Sequence, residues 1–203
     1  PLSSLDNQAK IKLRGLIKQV QKQLGVTAIY VTHDQEEATQ LADRIAVLGK
    51  HAEEETQLLQ CASPNDIYHH PVNTQVARIL GSPLINLLPI GLGKTEHEKP
   101  AEVTLDWQGT THYLGVRPNA WGIRPKTQSD ETHAPRLSGK IKVTEMLNGN
   151  YFAYWSSIQR NEDTAPWVVQ VDKPILSGEA VVVDLKPGVF PVFDSSGNYL
   201  TQV

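Results

Sequence analysis

The spacing of hydrophobic residues changes its period once along this chain, at Gly81-Ser82-Pro83. A repeat near 3.6 residues buries one side of a helix, and a repeat of 2 buries one face of a strand, so the two sides of that change call for different architectures. The sequence therefore predicts two domains, residues 1–82 and residues 83–203.

Before the change, Leu13, Leu16, Ile17, Val20 and Leu24 recur at helical spacing between Asp6, placed as an N-cap, and Gly25, placed as a terminator, so a helix is expected over 7–24. The run Val26 to Val31 is β-branched and apolar with no polar face, the pattern of a strand buried on both sides in a parallel sheet. Asp34 can cap a second helix over 35–43, with Glu36 and Glu37 as acids of its first turn. Arg44–Leu48 and Leu58–Cys61 read as short strands across a polar loop, His51 to Thr56. Ser63-Pro64-Asn65-Asp66 opens a short helix that Pro71 stops, and Asn73 opens another through Leu80.

After Pro83 the candidate strands are Ile85–Ile90, Glu102–Trp107, Thr111–Val116, Gly139–Leu147, Tyr151–Ser156, Trp167–Val171 and Ala180–Leu185, with Lys126 to Pro135 as a polar loop. Short strands at this spacing predict a small barrel or sandwich. Trp107, Trp121, Trp155 and Trp167 are expected in its core or in a dimer interface.

Two stretches carry the chemistry. Pro1-Leu2-Ser3-Ser4-Leu5-Asp6 resembles the D-loop of ABC transporter ATPases, and Ile29-Tyr30-Val31-Thr32-His33-Asp34-Gln35-Glu36-Glu37-Ala38 resembles their switch-histidine motif. Asp43 to Leu48, Pro64 to Tyr68 and Ile79 to Pro83 extend the resemblance in register over residues 1–83. More loosely, Leu114-Gly115-Val116-Arg117-Pro118, with Leu185-Lys186-Pro187-Gly188 and Val192-Phe193-Asp194, resembles the regulatory domain of importers of the maltose and glycerol-phosphate type.

The resemblance implies an α/β part followed by an all-β part: the C-terminal portion of a RecA-like ATPase domain, then an OB-like regulatory domain of the type called TOBE. It also implies that His33 holds the γ-phosphate of ATP, that Ser3, Ser4 and Asp6 meet a partner subunit, and that Arg117 and Pro118 mark the regulatory domain. Asp6 has a second role as helix cap, and Arg117 reads as a loop-bracing residue rather than a ligand contact.

A phosphate-gripping loop requires Gly-x-x-x-x-Gly-Lys-Ser/Thr between a strand and a helix. Gly93-Lys94-Thr95 carries the end of that pattern, but Leu88 stands where the first glycine belongs, and the tripeptide is read as a decoy. The family's Ser-Gly-Gly-Gln loop and magnesium-holding Asp-Glu pair do not occur either. ATP and Mg are accordingly expected in the complete subunit, with none held tightly by this chain, which is expected to be inactive alone.

The partners implied by the resemblance are a second ATPase subunit, identical or related, and transmembrane permease subunits. The setting implied is the cytoplasmic face of the membrane. With 39% hydrophobic and 20% charged residues the chain is expected to pack a core, and a net charge of −3 with interspersed signs argues against nucleic acid. Cys61 stands alone, so no disulfide or cysteine metal site is expected, and no run approaches the ~20 apolar residues of a membrane span. The competing reading is a stand-alone module whose β-domain binds a small ligand or a partner protein.

Overall fold

Each helix of the first part opens on a side chain that accepts the backbone N–H groups its first turn leaves free. In α1 (Asn7–Leu24), Asp6 Oδ1 accepts from Gln8 N at 2.9 Å and Ala9 N at 3.0 Å, and Gly25 ends the helix at φ 62°. In α2 (Gln35–Leu41), Asp34 Oδ1 accepts from Glu36 N at 2.8 Å and Glu37 N at 3.1 Å. Ser63 opens α3 (Pro64–His69), and Asn73 opens α4 (Thr74–Ala77), which is shorter than expected and gives way to turns before Leu80. A hairpin of β1 (Ile45–Gly49) and β2 (Gln57–Ala62) pairs antiparallel, and Val47, Ile67, Val76 and Leu80 form a small core beside it.

The computed structural model describes residues 6–50, 55–92, 103–105, 112–126, 137–157 and 165–203, which fall into two compact units, Pro1–Gly81 and Ser82–Val203. Ser3, Ser4, residues 51–54, Gly93-Lys94-Thr95, Trp107 and all of the Lys126–Pro135 loop except Lys126 lie outside the described residues.

One expectation for the first unit needs correction. Val26–Val31 is not a strand: it has no ladder partner among the described residues, and Ile29 is 91% and Val31 80% exposed. A parallel strand exists only through its neighbours, and no parallel pairing occurs among the described residues. Helix α1 leaves much of its apolar spacing uncovered: Leu16, Val20 and Leu24 are exposed, with Ile11, and among its described side chains only Arg14 is buried.

The described residues of the second unit form two five-stranded antiparallel sheets. One runs in the order β6 (Trp121–Pro125), β10 (Ala180–Leu185), β7 (Leu137–Leu147), β8 (Asn150–Ser157), β9 (Trp167–Val171). The other runs β12 (Tyr199–Gln202), β11 (Pro191–Asp194), β5 (His112–Val116), β3 (Asn86–Leu92), β4 (Val103–Leu105). Strand β6, unmarked in the sequence reading, is an edge strand, the position where its Gly122 and Pro125 are tolerated.

A continuous core takes residues from both sheets, among them Leu88, Leu114, Ile141, Val169, Val183 and Val192. Trp155 lies at its centre, its ring 6.0 Å from Trp121 and 5.2 Å from Trp167. Buried Asn86 joins the sheets: its Nδ2 donates to Val116 O at 3.0 Å and Val168 O at 2.8 Å, while its Oδ1 accepts from Val168 N at 2.7 Å. At the β7–β8 turn, Asn148 at φ 52° and Gly149 at φ 80° form the tight left-handed connection whose twist suits a hairpin.

Candidate functional site

Residues Ile29 to Asp34 lead from α1 into α2 without forming a strand, and burial alternates along them up to a bend at His33. Tyr30 and Thr32 take one face and turn to α2. Ile29, Val31 and His33 take the other, and all three are exposed.

The inward face is fixed by Glu37, buried to 2% exposure in the first turn of α2. Its Oε2 accepts from Thr32 Oγ1 at 2.7 Å and from Tyr30 Oη at 3.0 Å. Thr32 Oγ1 in turn accepts from Asp34 N at 3.0 Å, and the Asp34 carboxylate caps α2. Both residues flanking His33 are thereby bonded, and the imidazole is left facing outward.

Helix α1 supports the arrangement from behind. Lys18 Nζ donates to Gln40 O at 3.1 Å, and Gln21 Nε2 donates to Val26 O at 2.8 Å. On the other side of α2, Gln35 Oε1 accepts from Gly81 N at 3.1 Å. Buried Arg14 has an Nε without a hydrogen-bond partner in the structure, and its charge acts on both Tyr30 and Asp34.

The electrostatics follow from these contacts. The Thr32 hydroxyl, aided by Tyr30, holds the Glu37 carboxyl below its ordinary value against the cost of burial. The backbone N–H of Glu37, joined by that of Glu36 and by the charges of Lys10 and Arg14, lowers Asp34 as well. Desolvation raises the Tyr30 phenol, and the neighbouring Glu37 carboxylate adds to the rise. Glu37 stays ionised, Tyr30 stays protonated, and the bond between them keeps its polarity.

Of the residues singled out in the sequence, His33 is presented at this site and Asp6 is the exposed cap of α1. Arg117 and Pro118 belong to the second unit, where Pro118 is buried in the single turn Pro118–Ala120 that joins β5 to β6. Glu37 was passed over as a first-turn acid. The signal lay in the hydroxyls at Tyr30 and Thr32, two residues apart on one face of the segment and facing the helix that follows. Among the described residues no group of three His, Cys, Asp or Glu side chains could hold a metal, and no helix is long and apolar enough to cross a membrane.

No protein-family model matches the chain. Curated relatives do match over nearly its whole length. It is 32% identical to the sn-glycerol-3-phosphate import ATP-binding protein of Vibrio vulnificus over 96% of this chain and 51% of the relative. It is 29% identical to the maltose/maltodextrin import ATP-binding protein of Vibrio cholerae over 97% of this chain and 53% of the relative. With the ATP-binding protein of the diacetylchitobiose uptake system of Streptomyces coelicolor the identity is 33%, over 100% of this chain and 57% of the relative. The chain thus spans about half the length of the curated relatives it matches. Sequence, local geometry and these relatives agree that the chain belongs to the family of ATP-binding subunits of ABC-type solute importers.

Proposed function

We propose that this chain is the C-terminal part of an energising subunit that couples ATP hydrolysis to uptake of a carbohydrate or polyol, and that His33 contacts the γ-phosphate. The observation that carries the proposal is the presentation of His33, with both flanking residues bonded inward and the imidazole outward on the face it shares with Ile29 and Val31. A positioned imidazole N–H suits the charge that phosphoryl transfer spreads over the γ-oxygens, where fixed donors provide most of the acceleration. Bound ATP with Mg supplies the phosphoryl group, and the loops that grip both belong to segments this sequence does not contain. On this reading Val26–Val31 becomes a strand of a RecA-like sheet once neighbouring strands are supplied.

For the remainder we propose domains 1–82 and 83–203, the second an OB-like regulatory domain. The division between Gly81 and Ser82 supports the boundary, and the approach of β6 to β9, at opposite edges of one sheet, supports a sheet curling toward closure. The partners are a second such subunit, with Ser3, Ser4 and Asp6 near the contact, and the membrane-embedded permease, which places the subunit on the cytoplasmic face.

The test is His33→Ala in a subunit with an intact ATP-binding half joined upstream. Turnover should fall at least ~10²-fold with ATP binding nearly unchanged, since losing one transition-state donor costs roughly 3 kcal/mol while the ground-state grip lies elsewhere. Normal turnover per folded molecule ends the case for His33.

A further inference from the structure

Among the described residues no side-chain bond holds His33 in place, and an exposed imidazole on a free segment would sample many directions. The segment is not free, and the restraint converges on one carboxylate. Glu37 is the only buried acid among the described residues, and it binds the side chains of two residues that precede His33. Ordinary first-turn acids of a helix face water, as exposed Glu36 does in the same turn. Burying a charge is costly unless hydrogen bonds answer it, and here two hydroxyls do so on one oxygen.

The chain of bonds runs around the histidine. Tyr30 Oη and Thr32 Oγ1 donate to Glu37, Thr32 Oγ1 accepts from Asp34 N, and Asp34 Oδ1 accepts from the backbone N–H of Glu37. This closes a loop through residues 32, 34 and 37 with His33 at its apex. Removing the carboxylate frees both hydroxyls and leaves Asp34 N bonded to a Thr32 side chain that nothing anchors.

We infer that Glu37 is the positioning residue of the His33 segment, acting through Thr32 and Tyr30 to aim the imidazole rather than touching nucleotide. The inference rests on the reading of His33 as the γ-phosphate contact. It makes part of the histidine's effect on turnover depend on a group behind it, and it separates Glu37 from Glu36, its neighbour in the same helical turn.

The experiment has two arms. In the 203-residue chain, backbone amide exchange is followed by NMR in wild type, Glu37→Ala, Glu37→Gln and, as control, Glu36→Ala. Glu37→Ala should speed exchange at Thr32, His33 and Asp34 by at least ~10-fold while the middle of α1 is unchanged, because hydrogen bonds to a charged group are among the stronger ones and their loss opens only the segment they hold. Glu37→Gln, whose amide can accept from Tyr30 and donate to Thr32, should recover part of the protection. Thr32→Val, which removes the hydroxyl at constant shape, should reproduce the Ala result even if Glu37→Ala proves poorly folded.

In the longer subunit, Glu37→Ala should lower kcat about 10-fold with KM for ATP little changed, and Gln should restore part of the loss. A purely structural role predicts a lower Tm with kcat per folded molecule intact and faster exchange throughout the unit, and that pattern overturns the inference. Slow turnover in His33→Ala beside normal turnover in Glu37→Ala also overturns it. Normal turnover in His33→Ala overturns the reading of His33 instead, and the two failures are told apart by that single variant.

Discussion

The two units of this chain form their elements by similar means and bury them very differently. The second has a continuous core fed by both sheets: Trp121, Trp155, Phe193, Ile90 and Val183 are all at most 1% exposed, although Leu176, Val189 and Met146 stay at its surface. The first has well-capped helices and a bonded loop, yet leaves Ile29, Val31, Leu24 and Ile11 in water. Caps and turn bonds are local and form wherever their residues stand. Burial is not local, because a face is dry only if something lies against it, and the small core of the first unit lies beside its hairpin, away from Ile29 and Val31 in sequence, while the second unit has the larger one.

The largest test of that contrast is Trp155→Ala. The indole packs between two other tryptophan rings at the centre of the second unit, and its removal should cost about 3–5 kcal/mol, visible as a collapse of the main thermal transition. A loss below ~1 kcal/mol would mean the core is far looser than its packing implies.

Asn86→Leu should come next. It keeps an apolar-sized side chain but leaves Val168 N and the Val116 and Val168 carbonyls without the bonds that join the sheets, at a cost of about 3 kcal/mol. Chemical denaturation of residues 82–203 alone would measure it, and that segment should unfold cooperatively with wild-type Asn86 in place. A non-cooperative transition would show that the second unit depends on residues outside it.

Local signals in the sequence carry over into the structure, and signals that depend on distant neighbours do not. Asp6, Gly25, Asp34, Ser63 and Asn73 marked helix ends correctly because a cap acts within a few residues. Val26–Val31 was read as a strand from residue type, but a strand is completed by neighbours that residue type does not specify. Strand β6 was missed for the converse reason: Gly122 and Pro125 look like punctuation, and only an edge position makes them acceptable. At the site, His33 was legible from its flanking motif, whereas Glu37 was not, since its burial depends on how α2 lies against the preceding segment.

Acid provides a smaller and more local test. Asp34 and Glu37 both titrate below their ordinary values of 3.8 and 4.5 in the folded chain, so each contributes stability that is present above those values and is lost as pH falls through the lowered ones. Protection of the Thr32–Ala38 amides should therefore be flat from neutral pH to about pH 5 and decline below it, with the core of the second unit lagging. Glu37→Gln should remove its share of that decline. Protection that fell already near neutral pH would point to a different titrating group.

The smallest expected effect is the most informative about the first unit. Ile29 is 91% exposed and shares its face with Val31 and His33, so Ile29→Ser removes almost no buried surface and should change the stability of this chain by less than ~0.5 kcal/mol. The same substitution in the longer subunit should cost at least ~2 kcal/mol, because there the segment is proposed to be an interior strand, and a serine would trade buried methyl groups for an unpaired hydroxyl. The two measurements together test whether the exposed face is a surface or an unfinished core. Equal, small losses in both settings would make it a true surface and would remove the RecA-like sheet from the proposal. A large loss already in the 203-residue chain would show that Ile29 is covered within this sequence, and the contrast between the two units would no longer hold.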